Sequence, residues 1–153
     1  AGACGHVGLL SFGRLARQAV RLPACRPSTP GRAKHCVCGR TTAFAARIVK
    51  VYRYLSEQQH ETVLSQQLLR SGTSIGANAN EAVYAVSKAD FISKLHISLK
   101  ETAETEYWLR LLTLSQYLTA AESQSLLTDC LELKRILIAI LKTSKSTSEP
   151  PAT

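Results

Sequence analysis

Residues 87–112 read SKADFISKLHISLKETAETEYWLRLL. The stretch contains no Gly or Pro, and its apolar residues recur every three or four positions, the period of an α-helix. Phe91, Ile92, Leu95, Leu99, Ala103, Leu109 and Leu114 fall on one broad face, which predicts a helix from Ser87 to about Tyr117. Ser87 is a candidate N-cap with Asp90 three residues on. Glu106 and Arg110 share the apolar stripe, four residues apart, either as an ion pair or as side chains reaching outward to water. Ile97, Trp108, Leu111 and Leu112 point to the opposite side. A helix with apolar groups on both sides buries both. One face therefore serves a core, and the second, centred on Trp108, is a candidate subunit interface. The competing reading packs Trp108 against its own chain.

Three more helical segments surround this one. In the first, from about Ala43 to Gln58, Phe44, Ile48, Val51 and Leu55 form a stripe, with Arg47, Lys50, Arg53 and Glu57 on other faces. A polar turn over residues 57–61 follows. The second helix, from about Thr62 to Val86, contains residues 67–82, QLLRSGTSIGANANEA. Gly72 and Gly76 stand four apart on one face, each costing a helix interior about 1 kcal/mol. They either let a neighbouring backbone approach or end the helix in a Gly-rich loop. The fourth helix opens at Thr119-Ala-Ala-Glu122, a capping box. Its stripe is Leu126, Cys130, Leu133, Leu137, Ile140 and Leu141, and it closes with Lys142 and Lys145, cations suited to a helix C-terminus. Connections of a few residues favour antiparallel neighbours. The expected architecture is all-α, an antiparallel up-and-down four-helix bundle.

Composition changes abruptly near residue 41. Of the 19 basic residues, Arg14, Arg17, Arg21, Arg26, Arg32, Lys34 and Arg40 lie in residues 1–42, which hold no Asp or Glu. The remaining 12 basic residues face all 11 acidic ones. The formal charge of +8 thus belongs to the leader, and the bundle is nearly neutral. Six of the eight Gly also precede Thr41. The expected organisation is a basic leader over 1–40, disordered or foreign to the domain, a bundle over 41–145, and a polar, disordered tail over 146–153. A targeting segment is the alternative for the leader, because it is Arg-rich and acid-free. No window of about 18 apolar residues offers a membrane span.

Catalytic and metal patterns are missing. Cys4, Cys25, Cys36 and Cys38 precede the bundle, and His35-Cys36-Val37-Cys38 invites a zinc reading, but C-x-C lacks the usual pair spacing and a second pair. Cys130 reads as a small core residue. His96 has no spaced carboxylate or Cys partner. One Glu-x-x-His spacing, Glu57 to His60, falls in a polar turn and has no second copy, unlike a di-iron bundle. The Glu101, Glu104 and Glu106 cluster reads as a solvated face with intrahelical pairs. No nucleotide loop or nucleophile motif occurs. No cofactor is expected.

Residues 67–82 and 87–112 together resemble the bacterial four helix bundle protein family, also called the 23S ribosomal RNA intervening-sequence protein family. The similarity covers about Ala43 to Lys142, with Ala79 smaller than the branched residue often found there. The resemblance implies a non-enzymatic homo-oligomer, often a homopentamer, in the bacterial cytoplasm. It extends to the accessory protein of diversity-generating retroelements, which implies RNA or DNA, and a reverse transcriptase or ribonucleoprotein, as partners. Five copies would multiply any basic patch, and the candidate nucleic-acid contacts are Arg47, Lys50, Arg53, Arg70, Lys94 and Lys100. An ordinary solvated face is the competing reading of those six. The functional alternatives are a nucleic-acid-associated binding module and a protein-interaction oligomer that touches no nucleic acid.

Overall fold

The computed structural model describes residues 30–146, with side chains placed over 37–144. They form four helices: α1 Pro30–Glu57, α2 Val63–Val83, α3 Lys88–Leu114 and α4 Ala120–Ser146. Each helix packs against its neighbours in sequence, and α4 returns to α1, so α1 and α3 occupy opposite corners. This is the antiparallel up-and-down bundle expected from the apolar periods. No strand occurs among the described residues.

The stripe of α1 is buried as expected, with Phe44, Ile48, Val51 and Leu55 all at 1% exposure or less. The helix itself begins at Pro30, where a ring without an N–H fits the first helical position. That is well before Ala43, so the boundary drawn at residues 40 and 41 falls inside α1. Val37 is buried in the core, one turn before Thr41 and two before Phe44. Arg40 forms an ion pair with Glu132 of α4. The Gly, Cys and Pro content of this stretch hid its helical period. Residues 1–29 and 147–153, with Cys4 and Cys25, lie outside the described residues, as do the side chains of Arg32, Lys34, His35 and Cys36.

Gly72 and Gly76 lie within α2, and neither has a positive φ. Both face α1. A Cβ on Gly72 would stand 2.8 Å from Ile48 Cγ1, while one on Gly76 would meet the Thr41 carbonyl oxygen at an ordinary 3.5 Å. The glycines therefore admit α1 closely, one of them with no room to spare.

The buried face of α3 departs from the expected one. Leu95, Ser98, Thr102, Thr105, Leu109 and Leu112 are buried, whereas Ala103 is exposed and Leu114 is 82% exposed. Hydroxyl side chains occupy half of the core-facing stripe, so apolar periodicity misjudged its rotation. They are buried at little cost because each finds an acceptor. Thr102 Oγ1 donates to the Ser98 carbonyl at 2.8 Å, and Ser98 Oγ donates across to the Ile75 carbonyl of α2 at 2.9 Å. Thr105 Oγ1 lies 3.1 Å from Ser71 Oγ, joining α3 to α2, and 2.8 Å from the Glu101 carbonyl. Small side chains let the two helices approach, and the hydroxyls complete the contact.

The helix starts use acids. Ser87 Oγ accepts from the Asp90 N–H at 3.1 Å, as its spacing predicts. Thr119 and Glu122 form the expected capping box, with Glu122 N–H donating to Thr119 Oγ1 and Thr119 N–H to Glu122 Oε2. Glu61, expected in a solvated turn, is instead buried, and its two carboxylate oxygens accept from the Leu64 and Ser65 N–H groups at 2.8 Å each. It caps α2, because Thr62 offers no side-chain cap. His60 with φ 54° and Gln116 with φ 63° turn the chain in the first and third connections.

Cys130 is fully buried, and its thiol lies 3.4 Å from the Thr102 carbonyl. Burial, with the Glu106 charge adding, pushes the thiol from its ordinary 9.0 up to about 12. The native thiol keeps a proton that the unfolded chain releases, so stability is intact below about pH 9 and falls as pH rises toward about 12. Melts of wild type and Cys130→Ala from about pH 8 to about pH 11 should show a smaller alkaline loss in the variant. Equal slopes would mean that the thiol ionises freely in the fold.

Candidate functional site

Two surfaces were expected to carry function, and their side chains are distributed as follows. Arg47 is tied down within the protomer. Its guanidinium pairs with Asp129 and donates to Ser125 Oγ at 2.9 Å, with only 12% of the side chain exposed. Arg70 of α2 pairs with Glu104 of α3. Lys94 of α3 pairs with Glu81 of α2 at 2.5 Å, and that hydrogen bond holds the amine above its usual range. Lys50, Arg53 and Lys100 enter no ion pair among the described residues. Lys50 and Arg53 belong to α1 and Lys100 to α3, at opposite corners of the bundle. One protomer thus does not gather the six cations into a patch. Three of them hold helices together instead.

The acids explain what charge remains free. Glu61 and Glu122 cap helices, and the Asp90 carboxylate accepts from the Val86 N–H. Glu81, Glu104, Glu106, Asp129 and Glu132 are in ion pairs. Glu106 answers the question raised by its position on the apolar stripe, since it bridges Arg110 at 2.6 Å and Lys134 of α4 at 2.9 Å. Lys50, Arg53, Lys88, Lys100, Arg135 and Lys142 enter no ion pair among the described residues, and neither do Glu57, Glu61, Asp90, Glu101 and Glu122, so the charge outside ion pairs is nearly balanced.

The outward face of α3 is the second surface. Ile97 is 38%, Tyr107 57% and Leu114 82% exposed. Leu111 and Trp108 are half-buried, and Trp108 also packs on the core. Positions 97, 100, 104, 107, 108, 111 and 114 recur at helical spacing, giving an apolar strip interrupted by Lys100 and Glu104. Trp108 Nε1 donates to Glu104 at 3.2 Å, and its ring meets Tyr107 edge to face with centroids 5.0 Å apart. Leu112 does not belong to this strip. It is fully buried inside the protomer, because the hydroxyl-bearing face turns α3 and brings Leu112 inward. Tyr107 and Leu114 are the members that sequence reasoning missed.

Among the described residues, no three His, Cys, Asp or Glu side chains are grouped to hold a metal ion. No described helix is long and apolar enough to cross a membrane.

Comparison with known proteins agrees with the fold. No curated protein matches the chain. The chain is similar to a crystal structure, at 1.70 Å resolution, of a protein of unknown function from the S23 ribosomal protein family of Bacteroides thetaiotaomicron. The two are 49% identical, with a TM-score of 0.71, over 72% of this chain and 98% of that one. The sequence pattern of the 23S rRNA-intervening sequence proteins matches residues 34–139, a span that includes the unexpected N-terminal turns of α1, the caps and the hydroxyl-lined face of α3. The chain belongs to the 23S rRNA-intervening sequence protein family.

Proposed function

We propose that this protein is a non-enzymatic binding module that self-associates through the outward face of α3 and engages nucleic acid or a ribonucleoprotein. The observation that carries the self-association is the strip of Ile97, Tyr107, Trp108, Leu111 and Leu114, apolar groups that a lone protomer leaves in water. A ring of five copies would enclose the strip. The nucleic-acid arm is supported by the family description. A reverse transcriptase complex is one ribonucleoprotein of this class.

Light scattering tests the first arm. Leu114→Glu should lower the mass of the assembly with helicity unchanged, since the side chain supports nothing inside the protomer. Trp108→Ala should do the same with some loss of stability, because Trp108 also packs on the core. A monomeric wild type would end the proposal of self-association. Gel-shift titration with structured RNA across salt tests the second arm, and absence of binding at low salt counts against it.

A second reading, a protein-interaction oligomer without nucleic acid, draws support from the internal pairing of Arg47, Arg70 and Lys94. Partners that stay bound to the protein from lysate after nuclease treatment favour it.

A further inference from the structure

The strip on the outward face of α3 is narrow. Side chains from one helix fall short of the about 800 Å² per partner, from about 20–30 residues a side, that stable interfaces bury. An assembly through α3 therefore draws on a neighbouring helix, and the two seams that border the strip differ. Arg70 and Glu81 of α2 pair with Glu104 and Lys94 of α3. Gln67, Ser74 and Asn78, at helical spacing from Arg70 and Glu81, share that side of α2. All three are half-buried and polar.

The α4 seam is different. Lys134 bridges to Glu106 at 2.9 Å, which sets that face of α4 against α3. Leu131, three residues before Lys134, and Ile138, four after it, share the face. Both are half-buried, yet neither packs on the core. Across the seam Ala103, three residues before Glu106, is exposed, and Tyr107 and Leu114 follow at helical spacing. Apolar surface thus continues from the strip onto α4. The charges between do not oppose its burial, because Glu106 already holds both Lys134 and Arg110 and a covering surface strands neither partner. Arg135 is exposed, and its stem covers apolar surface while its head stays in water.

We infer that a second copy of this chain is held by a two-helix face, in which Leu131 and Ile138 of α4 extend the α3 strip across the Glu106–Lys134 bridge. The inference rests on the self-association arm of the function proposed above and adds the second helix. A second copy is chosen as the occupant because the added surface is continuous with the strip and its central charges are already paired, which leaves little there for a charged ligand.

Light scattering of the full chain over a range of concentrations tests it. Leu131→Glu and Ile138→Glu should each lower the mass of the assembly, as Leu114→Glu does, while Gln67→Glu on the α2 seam should leave it unchanged. Leu131→Ala, a milder change, should raise the concentration at which half of the protein has dissociated by about tenfold. Dissociation by Leu114→Glu, with the mass kept in Leu131→Glu and Ile138→Glu, overturns the α4 half of the face and leaves self-association standing. A monomeric wild type overturns both. Circular dichroism should be unchanged in each variant. If the Glu variants unfold, a wild-type half-dissociation concentration in Leu131→Ala overturns the inference.

Discussion

Gly72→Ala is expected to lower the melting temperature of the bundle, while Gly76→Ala, four residues along the same face, should raise it. Both changes supply the helix propensity that glycine lacks, about 1 kcal/mol. They differ in what the new methyl meets. At 76 it reaches the Thr41 backbone at van der Waals distance, so the propensity gain survives. At 72 it lies 2.8 Å from Cγ1 and 2.9 Å from Cγ2 of Ile48, atoms held close to the backbone of α1 that cannot swing away. Overpacking of this kind costs about 1–3 kcal/mol, which outweighs the gain. Gly72→Leu should prevent the close approach of α1 and α2 altogether. Thermal melts check the pair, and a double-mutant cycle checks the cause. Ile48→Ala should cost less in the Gly72→Ala background than in wild type. Equal melting shifts for the two alanine variants would show that α1 does not sit where the structure places it.

The second large effect concerns where the domain begins. Removing residues 1–40 should destabilise the bundle by about 2–4 kcal/mol, chiefly through the loss of buried Val37. The Arg40 pair with Glu132, 15% and 47% exposed at its two side chains, adds about 1 kcal/mol or less. The Cys38 carbonyl, which accepts from Thr41 Oγ1 at 3.0 Å and Thr42 Oγ1 at 2.8 Å, would go as well. Removing only residues 1–29 leaves Val37, the Cys38 carbonyl and Arg40 in place and should cost less than removing 1–40. Comparison of the two truncations by calorimetry places the boundary. Equal stability of both would return it to residue 41.

Much of the fold was legible because apolar residues recur once per turn in α1, α2 and α4, and because Ser87 and the Thr119–Glu122 box mark helix starts. Three features were not. The first turns of α1 are written in Gly, Cys, Arg and Pro, residues whose helical role depends on the neighbours they meet. Glu61 looks like a solvated acid until the N–H groups of Leu64 and Ser65 turn toward it. The face of α3 was misjudged because Ser98, Thr102 and Thr105 count as polar in any hydropathy pattern, yet lie inside once their hydroxyls find carbonyls. The same rotation moved Leu112 from the candidate interface to the core and revealed Tyr107 and Leu114. Basic residues were legible as such, but pairing with distant acids, as in Arg47 with Asp129 or Arg70 with Glu104, is a property of the assembled bundle.

The hydroxyl contacts between α2 and α3 also limit how this bundle can err. Leucine packing tolerates a slide of one turn, since any leucine fits roughly where another stood. The Thr105–Ser71 contact does not, nor does the Ser98 bond to the Ile75 carbonyl. A slipped pairing would cost the Ser98 hydroxyl its acceptor, about 1–3 kcal/mol, whereas Thr105 and Ser71 keep the Glu101 and Leu68 carbonyls of their own helices. The Ser98 bond to the Ile75 carbonyl thereby favours one height of α3 against α2, so the outward side chains of α3 meet any partner in fixed order.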